Sequence, residues 1–300
     1  MKRAAVTIGF TCNNNCVFCL DKEKRYLKTP SIEEIKRAII FLSENGFEDL
    51  YIINGEPLIS KYFFEIAEFA KEKGIKRIEV QTNARILYYK EIINRLKKIE
   101  PLKISVSFHF PNTRLYKKYC LADGFDQVVS GIKNLIKYKF DFGINMLIMK
   151  PNIHYLEKMV IFLRSIGFKE KIILNFVIGK NITKEDYRKI VPKFSECSKI
   201  IEKIINKDPK RIVVNGIPPC VFIKKIRKNV TSCSNNEEKV FIIDARSVPS
   251  KGLFFPSKKN KKKMFIQLKA CKKCKLKSEC MGIRKEYYYH YGSKEIKAIT

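Results

Sequence analysis

Three thiols stand within eight residues near the start of this chain, in Cys12-Asn13-Asn14-Asn15-Cys16-Val17-Phe18-Cys19. Close spacing of this kind suits metal or cluster ligation in a reducing compartment, since disulfide scaffolds pack their cysteines into short secreted chains. Structural zinc sites and ordinary 4Fe-4S clusters each ask for four protein ligands, and no fourth cysteine or histidine lies nearby. A three-thiolate loop leaves one metal position open, and an open iron can bind a cofactor or substrate rather than only pass electrons. A zinc loop completed by a distant residue is the alternative. A second group, Cys271-x2-Cys274-x5-Cys280-x-Gly282, lies near the end of the chain. Its spacing serves an iron–sulfur cluster or a tetrahedral zinc site equally well. Cys120 and Cys197 sit in or beside helical runs and read as buried thiols.

Such loops need rigid elements to aim them. The first two thirds of the chain alternate a short apolar run with a longer amphipathic one. Ala4–Phe10 precedes Ile32–Glu44, which Ser31 and Glu34 open as a capping box. Leu50–Asn54, Tyr62–Lys73 (ended by Gly74), Ile78–Asn83 and Tyr88–Ile99 continue the alternation. Leu102–Phe110, Phe125–Lys139, Phe142–Met149, Tyr155–Ile166, Ile172–Ile178 and Lys184–Ile205 complete it. Six β-α units predict a parallel sheet of the α/β class, because parallel strands require long crossovers. The strands are nearly all apolar, as expected when both faces are covered. An open doubly wound sheet and a β/α barrel both fit, and in either one function gathers in the loops after the strands' C-terminal ends. The cysteine loop follows the first strand. The pattern breaks near Asp208-Pro209, which predicts a core over residues 1–206 and a separate tail over 207–300.

The 300 residues suffice for a large core, and 45% apolar with 12% aromatic residues excludes a disordered charged chain. No run approaches the length of a spanning helix, so no membrane role is expected. Lys2-Arg3 followed by Ala4–Phe10 faintly imitates a signal peptide, but the apolar run is short and lacks a small-residue cleavage site. It reads as a strand, and the protein as cytoplasmic. The formal net charge of +31 admits a nucleic-acid partner, an anionic surface or a lysine-rich background.

The C-x3-C-x2-C loop after a first strand, with Phe18 before the third cysteine, resembles the radical S-adenosylmethionine (radical SAM) enzymes. Three further motifs fall where that family places them. Asn54-Gly55-Glu56-Pro57 resembles its Gly-Gly-Glu-Pro turn, with asparagine replacing the first glycine. Thr82-Asn83-Ala84 resembles its Thr-Asn-Gly, and Ser105-Val106-Ser107-Phe108-His109 closes the strand that carries polar groups toward the ribose. The likeness covers residues 4 to about 180. It implies a partial (β/α)6 TIM-like barrel with a small C-terminal cysteine-rich extension. It also implies a 4Fe-4S cluster held by Cys12, Cys16 and Cys19, with SAM on the fourth iron. Phe18 would then lie near the adenine, Gly55 and Glu56 would receive the methionine ammonium, and Asn54, Pro57, Thr82 and Asn83 would complete the SAM site. Asn54 in place of glycine calls for a left-handed asparagine. Ser107, Asn145 and His109 are candidates around the ribose and the reacting centre, although a histidine on a strand is more often structural. The chemistry implied is reductive cleavage of SAM to a 5′-deoxyadenosyl radical that abstracts hydrogen from carbon.

The tail motif resembles the auxiliary-cluster domains, called SPASM or twitch, of radical SAM enzymes that modify peptides or build cofactors. That resemblance covers about residues 216–292. It implies an auxiliary 4Fe-4S cluster on Cys271, Cys274 and Cys280, with Cys220, after two prolines, as fourth ligand and Cys233 as the substitute. Zinc on the same thiolates is the alternative metal. The expected substrate is a peptide or a small cofactor precursor. RNA is second, prompted by the charge and by Lys258 to Lys277 followed by Tyr287, Tyr288, Tyr289 and Tyr291. A non-enzymatic electron carrier or zinc-stabilised module has no need of a Gly55-Glu56 turn. Lysines are spread over every helix, so the charge reads as background except in Ser257–Lys277, which holds ten lysines and no acidic residue. A patch of that sign would attract an acidic flavodoxin- or ferredoxin-like reductant.

Overall fold

The computed structural model describes residues 2–180, 182–231, 240–245 and 264–300. Cys233 and Lys258–Lys263 lie outside the described residues. The chain forms two compact units: Met1–Phe108 with Tyr116–Gly143 and Lys239–Pro256, and His109–Leu115 with Ile144–Glu238 and Ser257–Thr300.

In the first unit, β1 (Lys2–Thr7), β2 (Phe47–Ile53), β3 (Arg77–Thr82) and β4 (Leu102–Ser107) lie side by side, all parallel. Val6 faces Ile52, Leu50 faces Ile78, and Ile78 faces Leu102 in register. A strand at Val240–Asp244 pairs with the other edge of β1, also parallel. Ala4, Ala5, Val6, Ile52, Val80 and Ile104 are buried, as strands covered on both faces require. At the strands' N-terminal ends, Arg3 donates to Glu79 at 2.6 Å and Arg77 Nε to Asp49 at 3.1 Å, so the acidic side chains buried there are paired with guanidinium groups.

The helices between these strands follow from their caps and apolar spacing. Before α1 (Ile32–Glu44), Ser31 Oγ accepts from the Glu34 N–H at 3.2 Å, and the Glu34 carboxylate accepts from the Ser31 N–H at 2.7 Å. Its residues Ile35, Ala38, Ile39 and Leu42 recur at helical spacing and are buried. The next helices are α2 (Phe63–Glu72), α3 (Lys90–Leu96), α4 (Thr113–Cys120) and α5 (Phe125–Lys137).

The second unit carries β5 (Asp141–Ile148), from Ile144 onward, and then β6 (Ile172–Phe176) and β7 (Ile212–Asn215), again parallel. Helices α6 (Leu156–Ser165) and α8 (Phe194–Lys207) run between them. The single helix expected over Lys184–Ile205 is two helices, α7 (Lys184–Ile190) and α8. Pro192 separates them because its nitrogen has no proton for the helical ladder. In α8, Ile201, Ile204 and Ile205 are buried, each worth roughly 1.5–3 kcal/mol against exposure. The tyrosine-rich tail forms α9 (Lys285–Tyr291), and several of its rings are spent on packing. Tyr287 is buried and stacks on Phe194 at 3.8 Å, His290 stacks on Tyr187 at 3.8 Å, and the Tyr291 hydroxyl donates to the Val191 carbonyl at 2.6 Å. Only Tyr288 and Tyr289 of these tyrosines are exposed. No described helix is long and apolar enough to cross a membrane.

Candidate active site

The cysteine loop begins five residues after β1 ends, on the side where parallel strands present their C-terminal ends. Cys12, Cys16 and Cys19 are each half-buried, and Phe18 between the last two is buried. Two backbone bonds dock the loop on the last turn of α4: Asn15 N–H to the Cys120 carbonyl at 2.9 Å and Val17 N–H to the Tyr119 carbonyl at 3.0 Å. Two donors point at the Cys12 sulfur, the Asn14 N–H at 3.4 Å and the Asn83 amide nitrogen at 3.8 Å. Burial pushes the Cys12 thiol up to about 11, partly offset by the Asn14 N–H. Cys16 moves the other way, because the Cys120 thiol hydrogen-bonds to its sulfur and favours the thiolate, while Cys120 itself is pushed up.

The Asn54-Gly55-Glu56-Pro57 turn abuts this loop. Glu56 N–H donates to the Thr11 carbonyl at 2.8 Å. Gly55 has φ +56, and a Cβ there would sit 2.5 Å from the Thr11 carbonyl oxygen and 2.8 Å from the Phe10 carbonyl carbon. Only glycine permits that approach. Asn54 has φ 73, the left-handed conformation its identity called for, and its amide donates to Thr7 Oγ1 at 2.7 Å. Pro57 is buried. Glu56 is 2% exposed and accepts from Thr82 Oγ1 at 2.7 Å, the Asn83 N–H at 2.6 Å and the Leu58 N–H at 3.3 Å. Burial pushes its carboxyl up to about 7 against the pull of those three donors and of Arg85. A buried carboxylate ringed by neutral donors is ready for a cationic partner with donors only, such as an ammonium. The Thr82-Asn83-Ala84 end of β3 thus meets both the carboxylate and the loop, since the Asn83 side chain also donates to Asn13 Oδ1 at 2.6 Å. Ala84 takes φ 63, so the place of the family's glycine keeps the left-handed backbone without the glycine.

Two residues that the sequence did not single out complete the arrangement. Arg85 donates to the Asn13 carbonyl, to Asn14 Oδ1 at 2.9 Å and to Gln127 Oε1 at 2.8 Å, clamping the loop to α5. The Tyr116 hydroxyl accepts from the Asn14 amide at 2.8 Å. Arg85 directly follows the Thr-Asn-Ala motif, and that adjacency was the available signal. Ser107 closes β4 and is half-buried.

His109 and Asn145 belong to the second unit. His109 Nδ1 accepts from the Leu147 N–H at 3.2 Å, and its carbonyl accepts from the Asn152 amide at 2.7 Å. An accepting Nδ1 puts the ring proton on Nε2. These are the bonds of a structural histidine. Asn145 accepts from the Asn175 amide at 3.1 Å. In the tail, Cys220, Cys271, Cys274 and Cys280 line one small cavity, with Pro218 and Pro219 beside them. Burial pushes the Cys220 thiol up to about 11, with the charges of Cys280, Cys271 and Cys274 adding to it. The thiols ring the cavity: among the described residues no three His, Cys, Asp or Glu side chains are placed to hold a single metal ion.

The cysteine loop, the Asn54-Gly55 turn and the buried Glu56 thus meet at the C-terminal ends of neighbouring parallel strands. The radical SAM superfamily model matches residues 6–163, and the chain belongs to that superfamily. Among curated relatives it is 30% identical over 222 residues to a probable GTP 3',8-cyclase of Methanocaldococcus jannaschii, covering 71% of this chain and 72% of that one. It is 28% identical over 216 residues to one of Sulfurisphaera tokodaii, covering 70% of this chain and 66% of the relative. The matches cover 72% and 66% of the two relatives' own lengths, so part of each is unmatched. Among solved structures, anSMEcpe with bound AdoMet and a peptide has a TM-score of 0.70 at 14% identity, covering 98% of this chain and 97% of that one. Streptococcus suis SuiB bound to S-adenosylmethionine has a TM-score of 0.68 at 14% identity, covering 100% of this chain and 77% of that one. These likenesses show the fold: an α/β, partial-barrel parallel sheet of the radical SAM type, and an enzyme family that works with SAM.

Proposed function

We propose that this enzyme reductively cleaves SAM and uses the resulting radical to abstract hydrogen from a small cofactor precursor, an oxopurine nucleoside triphosphate. The observation that carries the SAM reading is Glu56, buried and joined through its own N–H to the cysteine loop and through its carboxylate to the end of β3. The donor set fits the cofactor: three thiols in one loop, one sulfur already accepting two hydrogen bonds, and a glycine whose missing side chain lets the carboxylate turn reach the loop. Cys12, Cys16 and Cys19 would hold the 4Fe-4S cluster, which supplies the electron and the open iron for SAM. Glu56 and Gly55 would take the methionine ammonium, Phe18 the adenine side, and Asn54, Pro57, Thr82 and Asn83 the shape of the turn. Arg85 holds the loop in register. Ser107 serves the ribose end.

The GTP 3',8-cyclase relatives support a nucleotide over a peptide, because they are about twice as similar in sequence as the peptide-bound structural neighbour. The tail cysteines Cys220, Cys271, Cys274 and Cys280 would carry an auxiliary 4Fe-4S cluster, and a flavodoxin- or ferredoxin-like protein would supply electrons to a chain of charge +31. The test is anaerobic incubation of reconstituted protein with SAM, dithionite and GTP, followed by chromatography of nucleosides and nucleotides. GTP consumption in step with 5′-deoxyadenosine release supports the reading. Release of 5′-deoxyadenosine with GTP recovered intact rules out this substrate.

A further inference from the structure

The strands β5, β6 and β7 bury one face completely and leave the other half-accessible. Ile144, Met146 and Ile148, Ile172, Leu174 and Phe176, and Ile212 and Val214 fill the buried face. The accessible face alternates with them and carries Asn145, Leu147, Ile173, Asn175, Val213 and Asn215. In a chain of 61 lysines and arginines, that face holds no charged side chain from Ile144 onward, the exposed Asp141 standing at the far N-terminal end of β5. Its polar groups are three carboxamides. Asn175 and Asn215 are direct partners across β6 and β7, and both stand at the C-terminal ends where parallel strands meet their ligands. Gly216, with φ +89, lets the chain turn sharply after Asn215; a Cβ there would lie 2.8 Å from the Phe176 Cβ. The turn fixes Asn215 as the last residue of its strand.

Asn175 gives one amide proton to Asn145 Oδ1 at 3.1 Å. That bond sets its orientation and leaves its own Oδ1 to accept. Asn215 hydrogen-bonds through its side chain to no described residue. Carboxamides are neutral and offer both donors and acceptors, so a charge-free row of them suits an uncharged planar edge that pairs a donor with an acceptor. A phosphate or carboxylate would call for lysine or arginine at these positions.

Resting on the nucleotide reading above, we propose that Asn175 and Asn215 form the base subsite, recognising the lactam edge of an oxopurine. The N1–H of the base donates to Asn175 Oδ1, and the C6 carbonyl accepts from the Asn215 amide. Asn145 is the positioning residue that fixes Asn175.

Equilibrium dialysis of the cluster-loaded protein tests this, with GTP, 1-methyl-GTP and inorganic triphosphate as probes. Wild type holds GTP about tenfold more tightly than 1-methyl-GTP, which lacks the N1–H. Asn175→Ala and Asn215→Ala each weaken GTP about tenfold, the preference over 1-methyl-GTP disappears in Asn175→Ala, and competition by inorganic triphosphate is unchanged. Asn215→Asp, of nearly the same size but without the donor, loses GTP affinity to the same extent, with circular dichroism of each variant matching wild type. GTP bound equally by wild type and both alanine variants overturns the subsite while leaving the substrate standing. No GTP bound by wild type overturns the nucleotide reading and the subsite with it.

Discussion

Replacing Glu56 by glutamine isolates the titration on which SAM binding depends. Burial pushes the Glu56 carboxyl up to about 7. The methionine ammonium needs the ionised form, so apparent affinity for SAM follows the ionised fraction. Between about pH 6 and about pH 7.5 that fraction, and with it the affinity, rises roughly eightfold, whereas a glutamate of ordinary pKa would give a flat profile. Glutamine keeps the shape and removes the charge. The variant loses a charge-assisted hydrogen bond of about 1.5–3 kcal/mol, so SAM binds roughly 10- to 150-fold more weakly near pH 7.5, with no pH dependence. The same shift acts on the SAM-free protein with a definite sign. A carboxyl whose folded pKa is raised contributes stability that is fully present below its unfolded value and lost as pH rises through the folded one. Wild type therefore loses roughly 3 kcal/mol relative to Glu56→Gln between about pH 4.5 and pH 7 and above. The assay is equilibrium dialysis of SAM against anaerobically reconstituted wild type and variant across this range. A flat wild-type profile, or a rise that survives in Glu56→Gln, would refute the assignment of the ammonium to this carboxylate.

Three other substitutions probe the arrangement. Gly55→Ala places a methyl 2.5 Å from the Thr11 carbonyl oxygen, so SAM affinity should fall at least about tenfold by the same dialysis, and near-normal binding would count against the close approach. Cys120→Ala removes the thiol that hydrogen-bonds to Cys16, so the first cluster's reduction potential, read by redox titration with electron paramagnetic resonance, should fall. Cys120→Ser should restore it, and equal potentials in all three proteins would show that the contact is only packing. Cys271→Ala combined with Cys274→Ala should lower iron from about eight to about four atoms per chain while the first cluster's signal persists. Loss of zinc with iron unchanged would assign the tail to zinc.

Much of the site could be read from local sequence because its parts are local. The capping box at Ser31 and Glu34 needs only three residues, and the left-handed turn at Asn54-Gly55 is written in two residues that tolerate positive φ. The cysteine loop lies within eight residues. What escaped was long-range. Arg85 clamps Asn13 and Asn14 from 72 and 71 positions away, and Tyr116 reaches Asn14 across 102, separations that leave no periodicity to detect. Cys120 reads as a buried thiol and is one, but the docking of α4 sets it against Cys16. Pro192 lies inside the run Lys184–Ile205 and splits it into two helices, a local effect that apolar spacing alone does not register. Asn175 and Asn215 lie in apolar runs, where a single carboxamide carries little signal until the strands are put in register.

The most direct measurement is 5′-deoxyadenosine released from SAM by the anaerobically reconstituted protein after reduction with dithionite. At least one equivalent of 5′-deoxyadenosine per chain, with none from a variant in which Cys12, Cys16 and Cys19 are alanine, is the predicted result. An intact, reducible first cluster that releases no 5′-deoxyadenosine, with or without GTP, would contradict the account.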